Sequence, residues 1–246
     1  MPDGIRAFLF DLDGVLTQTA KVHAAAWKQM FDEFLRKRAD ETGDEFVPFD
    51  ATDDYDRYVD GMPRYDGVRS FLKSRGIELP EGTPDDRPTA DTVHGLGNRK
   101  NELVLALIRD QGVESYEGSV RYVRAVRDAG LGRAVVSSSA NAREVLEAAK
   151  IDDLFDVVVD GIAAQSEHLK GKPAPDTFEA GAKKLGVEPS DAAVFEDALA
   201  GVAAGHAGAF RCVVGVDRVG QADELREHGA TVVVSDLAEL LENDHS

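Results

Sequence analysis

The apolar positions of the chain fall into two rhythms. Residues 5–10 form a short, mostly apolar run that stops at Asp11-Leu12-Asp13-Gly14, the pattern of a strand buried on both faces. Similar runs recur at 134–136, 157–159, 192–195, 212–214 and 231–234. They alternate with helical spacing at 120–128, 142–150, 176–185, 199–207, 222–228 and 237–241. Strand and helix in alternation predict an α/β fold, a doubly wound, mostly parallel sheet. Residues 21–112 show no strand pattern. There, Trp27, Met30, Phe31, Phe34 and Leu35 recur at helical spacing within 19–38, and further helical patterns cover 52–59, 66–74 and 98–110. Residues 78–91 carry three prolines and many acids and predict a loop. The expected organisation is therefore a sheet core of residues 1–18 and 116–246, split by an inserted α-helical cap domain of residues 19–115.

Composition narrows the function. With 246 residues and 43% hydrophobic content the chain can bury a substantial core. Its net charge of −18 disfavours nucleic acid and anionic membrane as partners, since both require basic surface. No apolar run reaches the roughly 20 residues of a membrane span. The opening Met-Pro-Asp-Gly carries neither a basic region nor an apolar stretch, so a secretory signal is not expected and the cytoplasm is. Cys212, the single cysteine, sits in an apolar run and reads as a buried strand thiol. Against so acidic a background, the few cations placed at strand ends become informative.

Chemistry collects where the predicted strands end. In open α/β sheets, ligands bind beyond the carboxyl ends of the strands. Asp11 and Asp13 stand beyond the first strand, two apart and so on one side. Carboxylates that close need a cation between them, and Mg2+, a hard ion with oxygen ligands, is the simplest. Ser137-Ser138-Ser139-Ala140-Asn141 follows the next strand and suits an anion, although a serine-rich helix cap explains the same residues. Lys172, between Gly171 and Pro173, supplies a fixed positive charge or is an ordinary loop lysine. Glu196 and Asp197 end the strand at 192–195 and add oxygen ligands, or cap the next helix.

The order Asp-x-Asp, Ser, Lys, Glu-Asp, each after a strand, resembles the haloacid dehalogenase superfamily of phosphotransferases over nearly the whole chain. The resemblance implies a Rossmann-like core with Asp11 as the nucleophile that forms an aspartyl-phosphate. It implies Asp13 as general acid and base, its carbonyl also on Mg2+, Ser137 and Lys172 as binders of the transferring phosphoryl group, and Glu196 and Asp197 as metal-site acids. Within the superfamily the chain is similar to the β-phosphoglucomutase family, through Thr19, His23 and Trp27 in a Thr-x-x-x-His-x-x-x-Trp pattern, Gly61-Met62-Pro63-Arg64, and Arg99-Lys100-Asn101. That similarity implies Arg64 as the grip on the non-transferring phosphate, with Ser139 and Asn141 as further ligands of it and Ser138 among the phosphate- and substrate-binding residues. Ala140 stands where the family often has lysine, which removes a charge from the second phosphate site.

For His23, one turn beyond Thr19, a role in holding Asp13 is favoured. Trp27 leans toward core packing, and Lys100 admits a substrate role or a bland exposed one equally. His94-Gly95-Leu96-Gly97 follows no strand, so a nucleotide-loop reading is set aside. The implied activity is conversion of β-glucose 1-phosphate to glucose 6-phosphate by a Mg2+-dependent monomer whose cap excludes water. Two competitors are a sugar-phosphate phosphatase on the same scaffold and a non-catalytic phospho-acceptor module. The large insertion and Asp13 argue against the second.

Overall fold

Six strands form one parallel sheet in the order β3-β2-β1-β4-β5-β6. They are β1 (Ala7–Phe10), β2 (Gly132–Val136), β3 (Val157–Val159), β4 (Ala192–Glu196), β5 (Cys212–Val216) and β6 (Val232–Val234). The computed structural model describes residues 4–242; the opening Met-Pro-Asp, part of the stretch read as lacking a signal, lies outside them. The chain divides into two compact units, one taking the residues up to Gln18 and from Val113 onward, the other Thr19–Gly112. No helix among the described residues is long and apolar enough to cross a membrane.

In the sheet unit, β1 is apolar throughout because both its faces are covered. Ala7 and Leu9 join a core with Phe178 and Ala182 of α8 (Asp176–Lys184), Val202 of α9 (Leu199–Ala207) and Leu225 of α10 (Ala222–Glu227). Phe8 and Phe10 turn the other way, against Tyr122 of α5 (Glu117–Asp128) and Phe195 of β4; the Phe10 and Phe195 rings stack at 4.6 Å. Burying one such side chain contributes about 1.5–3 kcal/mol, which is why the strand ends where the acids begin. Cys212 is buried in β5. The connections that complete this unit include α6 (Ala142–Ala149), α7 (Gly161–Ser166) and α11 (Glu239–Glu242). The pattern of apolar residues did not predict α7. It is only six residues long with none fully buried, and it exists because the Asp160 carboxylate caps it by accepting from Ala163 N at 2.7 Å.

The second unit is helical: α1 (Ala20–Thr42), α2 (Asp53–Tyr58), α3 (Arg64–Ser74) and α4 (Val93–Gln111). Its core is aromatic, with Trp27 stacked on Phe31 at 5.3 Å and Phe31 packed on Phe49 and Phe71. The fourth helix starts earlier than its apolar pattern suggests, at Val93 in place of residue 98. Thr92 caps it by accepting from Gly95 N at 2.9 Å, which offsets two glycines in the first two turns. The acidic stretch before it is irregular but tied down, since Asn98 Nδ2 donates to Pro84 O and Asp86 O, and Arg99 Nε to Pro88 O.

Candidate active site

The strand order reverses beside β1, whose neighbours are β2 and β4, and this is the switch point at which open α/β sheets bind ligands. Register does the gathering. Phe10 pairs with Phe195 on one side and Val135 on the other. Asp11, Val136 and Glu196 therefore emerge in one row, with Asp11 N donating to Phe195 O at 2.9 Å.

Lys172 closes that row from 161 residues away along the chain. Its ammonium donates to Asp11 Oδ1 at 2.5 Å, Glu196 Oε1 at 2.6 Å and Val136 O at 3.2 Å, which uses all three of its protons. The lysine is buried, so the loop-lysine reading does not hold. Burial alone would lower its pKa, but the Asp11 and Glu196 carboxylates outweigh it and push the ammonium up. For the acids the balance falls to burial. Burial, opposed by Lys172, raises Asp11 to about 6, with Asp13 adding repulsion. Burial likewise raises Glu196 to about 7, again opposed by Lys172 and with Asp11 adding repulsion. Glu196 Oε2 also accepts from Ala198 N at 2.8 Å.

Asp11, Glu196 and Asp197 are all buried, and each offers an oxygen within 4.8 Å of the others. The donor set of this buried group is all oxygen. This fits a hard divalent cation. Gly14 allows the crowding: its φ is +85°, and a Cβ there would lie 1.7 Å from Asp197 Oδ2.

The hydroxyl loop folds over the end of β2. Ser137 is buried and its N donates to Val159 O; Ser139 N donates to Ser137 Oγ at 3.1 Å and Asn141 N to Ser139 Oγ at 3.2 Å. Ser138 and Ala140 belong to the same turn, braced by Gly161 N on Ser139 O.

Two residues that the sequence reading missed hold this site from the segment that follows β5. Arg218 stacks on the Tyr116 ring at 3.6 Å and donates to Gly14 O and Ser235 O, both at 2.7 Å. Gln221 Nε2 donates to Asp197 O at 3.0 Å. The available signal was position: Asp217-Arg218 follows a strand as the other site residues do.

The helical unit keeps its own polar cluster. Lys100, buried and therefore not the bland exposed residue, brings its ammonium to 2.8 Å from His23 Nδ1 and 4.8 Å from the centre of the Trp27 ring. Burial and then the Lys100 charge hold the His23 pKa well below its usual value, so the imidazole is neutral. The lysine can only donate, which assigns Nδ1 as acceptor and puts the ring proton on Nε2. Thr19 is buried and its carbonyl accepts from His23 N at 2.9 Å. Trp27 is buried in the aromatic core, so its ring packs the unit and does not present an open platform. Arg64, the first residue of α3, is half-buried and donates from Nη2 to Tyr65 Oη at 2.8 Å.

Residues 5–208 match the haloacid dehalogenase-like hydrolase family. The chain is 59% identical over 244 residues to a β-phosphoglucomutase of Mycobacterium tuberculosis, covering 98% of this chain and 93% of that protein. It is 32% identical over 213 residues to a β-phosphoglucomutase of Bacillus subtilis, covering 86% and 84%. Among solved structures, a β-phosphoglucomutase of Clostridium difficile superposes with a TM-score of 0.75 at 26% identity, covering 96% of this chain and 93% of that one.

Proposed function

Because the chain belongs to the haloacid dehalogenase-like hydrolase family and its switch point gathers Asp11, Lys172, Glu196 and Asp197 in one buried cluster, we propose that it is a β-phosphoglucomutase. It converts β-glucose 1-phosphate to glucose 6-phosphate through an aspartyl-phosphate and a 1,6-bisphosphate, as a cytoplasmic monomer. The observation that carries this reading is the Lys172 ammonium on Asp11 Oδ1. It fixes the carboxylate's rotation at a strand end and sets a positive charge where phosphoryl oxygens gather.

The aspartyl-phosphate at Asp11 donates its phosphoryl group to the C6 hydroxyl, whose proton passes to Asp13. Turned about, the bisphosphate returns its C1 phosphoryl group to Asp11, and Asp13 hands the proton to the C1 oxygen. Ser137 and Lys172 hold the transferring group, while Ser138, Ser139 and Asn141 border the other phosphate and Arg64 grips it. In the helical unit, His23 serves as a neutral donor whose tautomer Lys100 sets. Asp11, Glu196 and Asp197, with the Asp13 carbonyl, would hold Mg2+, which when bound neutralises phosphoryl charge.

The test is a coupled assay on β-glucose 1-phosphate with Mg2+ and a trace of bisphosphate, following glucose 6-phosphate and free phosphate together. Glucose 6-phosphate without free phosphate is expected. Free phosphate alone would make the protein a phosphatase and overturn the mutase reading.

The raised acids also make Mg2+ binding pH-dependent, since protons compete for the same oxygens. Asp11 and Glu196 ionise as pH climbs past about 6 and about 7. Mg2+ should therefore bind about tenfold more tightly at pH 7.5 than at pH 6 and release protons as it does. Titration calorimetry in two buffers of different ionisation enthalpy checks this, and an affinity unchanged across that range would count against these residues as the ligands.

A further inference from the structure

We infer that Tyr65 and Asn98 are positioning residues that set the Arg64 guanidinium in advance of substrate, an inference that rests on the reading of Arg64 as the phosphate grip. A chain of hydrogen bonds runs through three side chains into the acidic loop before α4. Arg64 Nη2 donates to Tyr65 Oη at 2.8 Å, and Tyr65 Oη donates to Asn98 Oδ1 at 2.8 Å. Asn98 Nδ2 then donates to Pro84 O at 3.0 Å and Asp86 O at 2.9 Å. Direction is forced at both ends. A guanidinium only donates, so the phenol must accept from it and spend its own proton on Asn98 Oδ1, which leaves the amide nitrogen for the loop carbonyls.

The ring is held as firmly as the hydroxyl. It lies 4.1 Å from the His94 ring, centroid to centroid. A Cβ on Gly97 would meet Tyr65 Cδ1 at 2.6 Å, so glycine is required there for the ring to lie against α4. The sequence His94-Gly95-Leu96-Gly97-Asn98, which follows no strand and binds no nucleotide in this reading, thereby acquires a use. It opens α4 closely enough to seat Tyr65 and supplies the amide that orients it.

The consequence is preorganisation. Arginine recognises phosphate through a planar fork of five N–H groups, and a long free side chain must lose rotamer freedom before the fork can engage. The Tyr65 hydroxyl takes a hydrogen bond from one Nη only and leaves the rest of the fork for phosphate oxygens. The Arg64 guanidinium makes no other hydrogen bond or ion pair among the described residues. Part of the ordering is thus completed in the free protein, and binding is tighter by that amount.

The experiment is a double-mutant cycle in the full chain, with KM and kcat measured on β-glucose 1-phosphate for Tyr65→Phe, Arg64→Ala and the pair. Tyr65→Phe keeps the ring against Gly97 and removes only the hydroxyl. It should raise KM about tenfold, the scale of immobilising one long side chain, with kcat nearly unchanged. In the Arg64→Ala background the same change should do nothing further. Phosphorylation of Asp11 by a donor carrying a single phosphate, such as acetyl phosphate, should be equal in all four proteins. A raised KM in Arg64→Ala beside a wild-type KM in Tyr65→Phe overturns the inference and leaves the reading of Arg64 standing. Equal losses from Tyr65→Phe in both backgrounds, or slowed phosphorylation by acetyl phosphate, also overturn it, since the hydroxyl would then serve the fold at large. An unchanged KM in Arg64→Ala removes the reading of Arg64 and the inference together.

Discussion

Asp11→Asn should keep the fold and lose turnover by at least about 10⁴-fold, the scale on which removing a covalent nucleophile acts. The two side chains have nearly the same shape, so packing at the end of β1 is preserved. An amide oxygen at this position can still accept from Lys172, and Lys172 keeps Glu196 and Val136 O as its other acceptors. What is lost is the charge and the nucleophilic oxygen. One buried negative charge fewer also relieves repulsion on Glu196, whose own pKa Asp11 helps to raise. The metal-free variant should therefore be at least as resistant to urea as the parent at pH 8. Rapid-quench measurement of the phosphorylated protein, with urea melts beside it, checks both halves. Turnover above about 1% of the parent's would remove Asp11 from the role of nucleophile.

Lys172→Met is expected to damage stability as well as activity. The lysine is the cation hydrogen-bonded to both Asp11 and Glu196, and all three are buried. Removing one partner from a buried ionic cluster leaves charge in a low-dielectric interior and costs about 3–5 kcal/mol. The sign of the pH dependence follows from the acids. Their folded pKa values already lie above the unfolded ones, at about 6 for Asp11 and about 7 for Glu196, and losing the ammonium raises them further. Acids raised by folding contribute full stability below their unfolded pKa and lose it as pH rises through the folded values. The deficit of the variant should therefore be greatest above pH 7 and shrink toward pH 5.5, where protons replace the missing cation. Catalysis should fall about 10²–10³-fold, the scale of losing one charged group that steadies the transition state. Urea melts at pH 5.5 and 8 test this, and a deficit that grows on acidification would contradict it.

These two variants bear on residues that the chain announces locally. Asp11, Lys172, Glu196 and Asp197 each stand out because a polar group follows a buried strand or a proline-bounded turn. A parallel sheet aligns such strand ends whatever lies between them. The same logic made the α/β class and the parallel sheet readable, since burial on both faces leaves a continuous apolar run.

Other features carried no such mark. The short helix α7 depends on the single cap at Asp160 and has no apolar stripe to reveal it. The first turns of α4 are rich in glycine, which propensity counts against a helix, and only the Thr92 cap and the seating of Tyr65 explain them.

What the sequence determined by itself is thus the fold class and the inventory of strand-end groups, because apolar periodicity and the chemistry of a side chain are local properties. Which groups meet was decided by the tertiary structure. The meeting of Asp11 with Lys172 across a separation of 161 positions, the placement of Arg218 on Gly14 and the bond of Tyr65 to Asn98 are set by strand register and helix packing. Hydrogen bonds reach about 3 Å, and no local pattern specifies a distance of that kind between segments far apart in the chain.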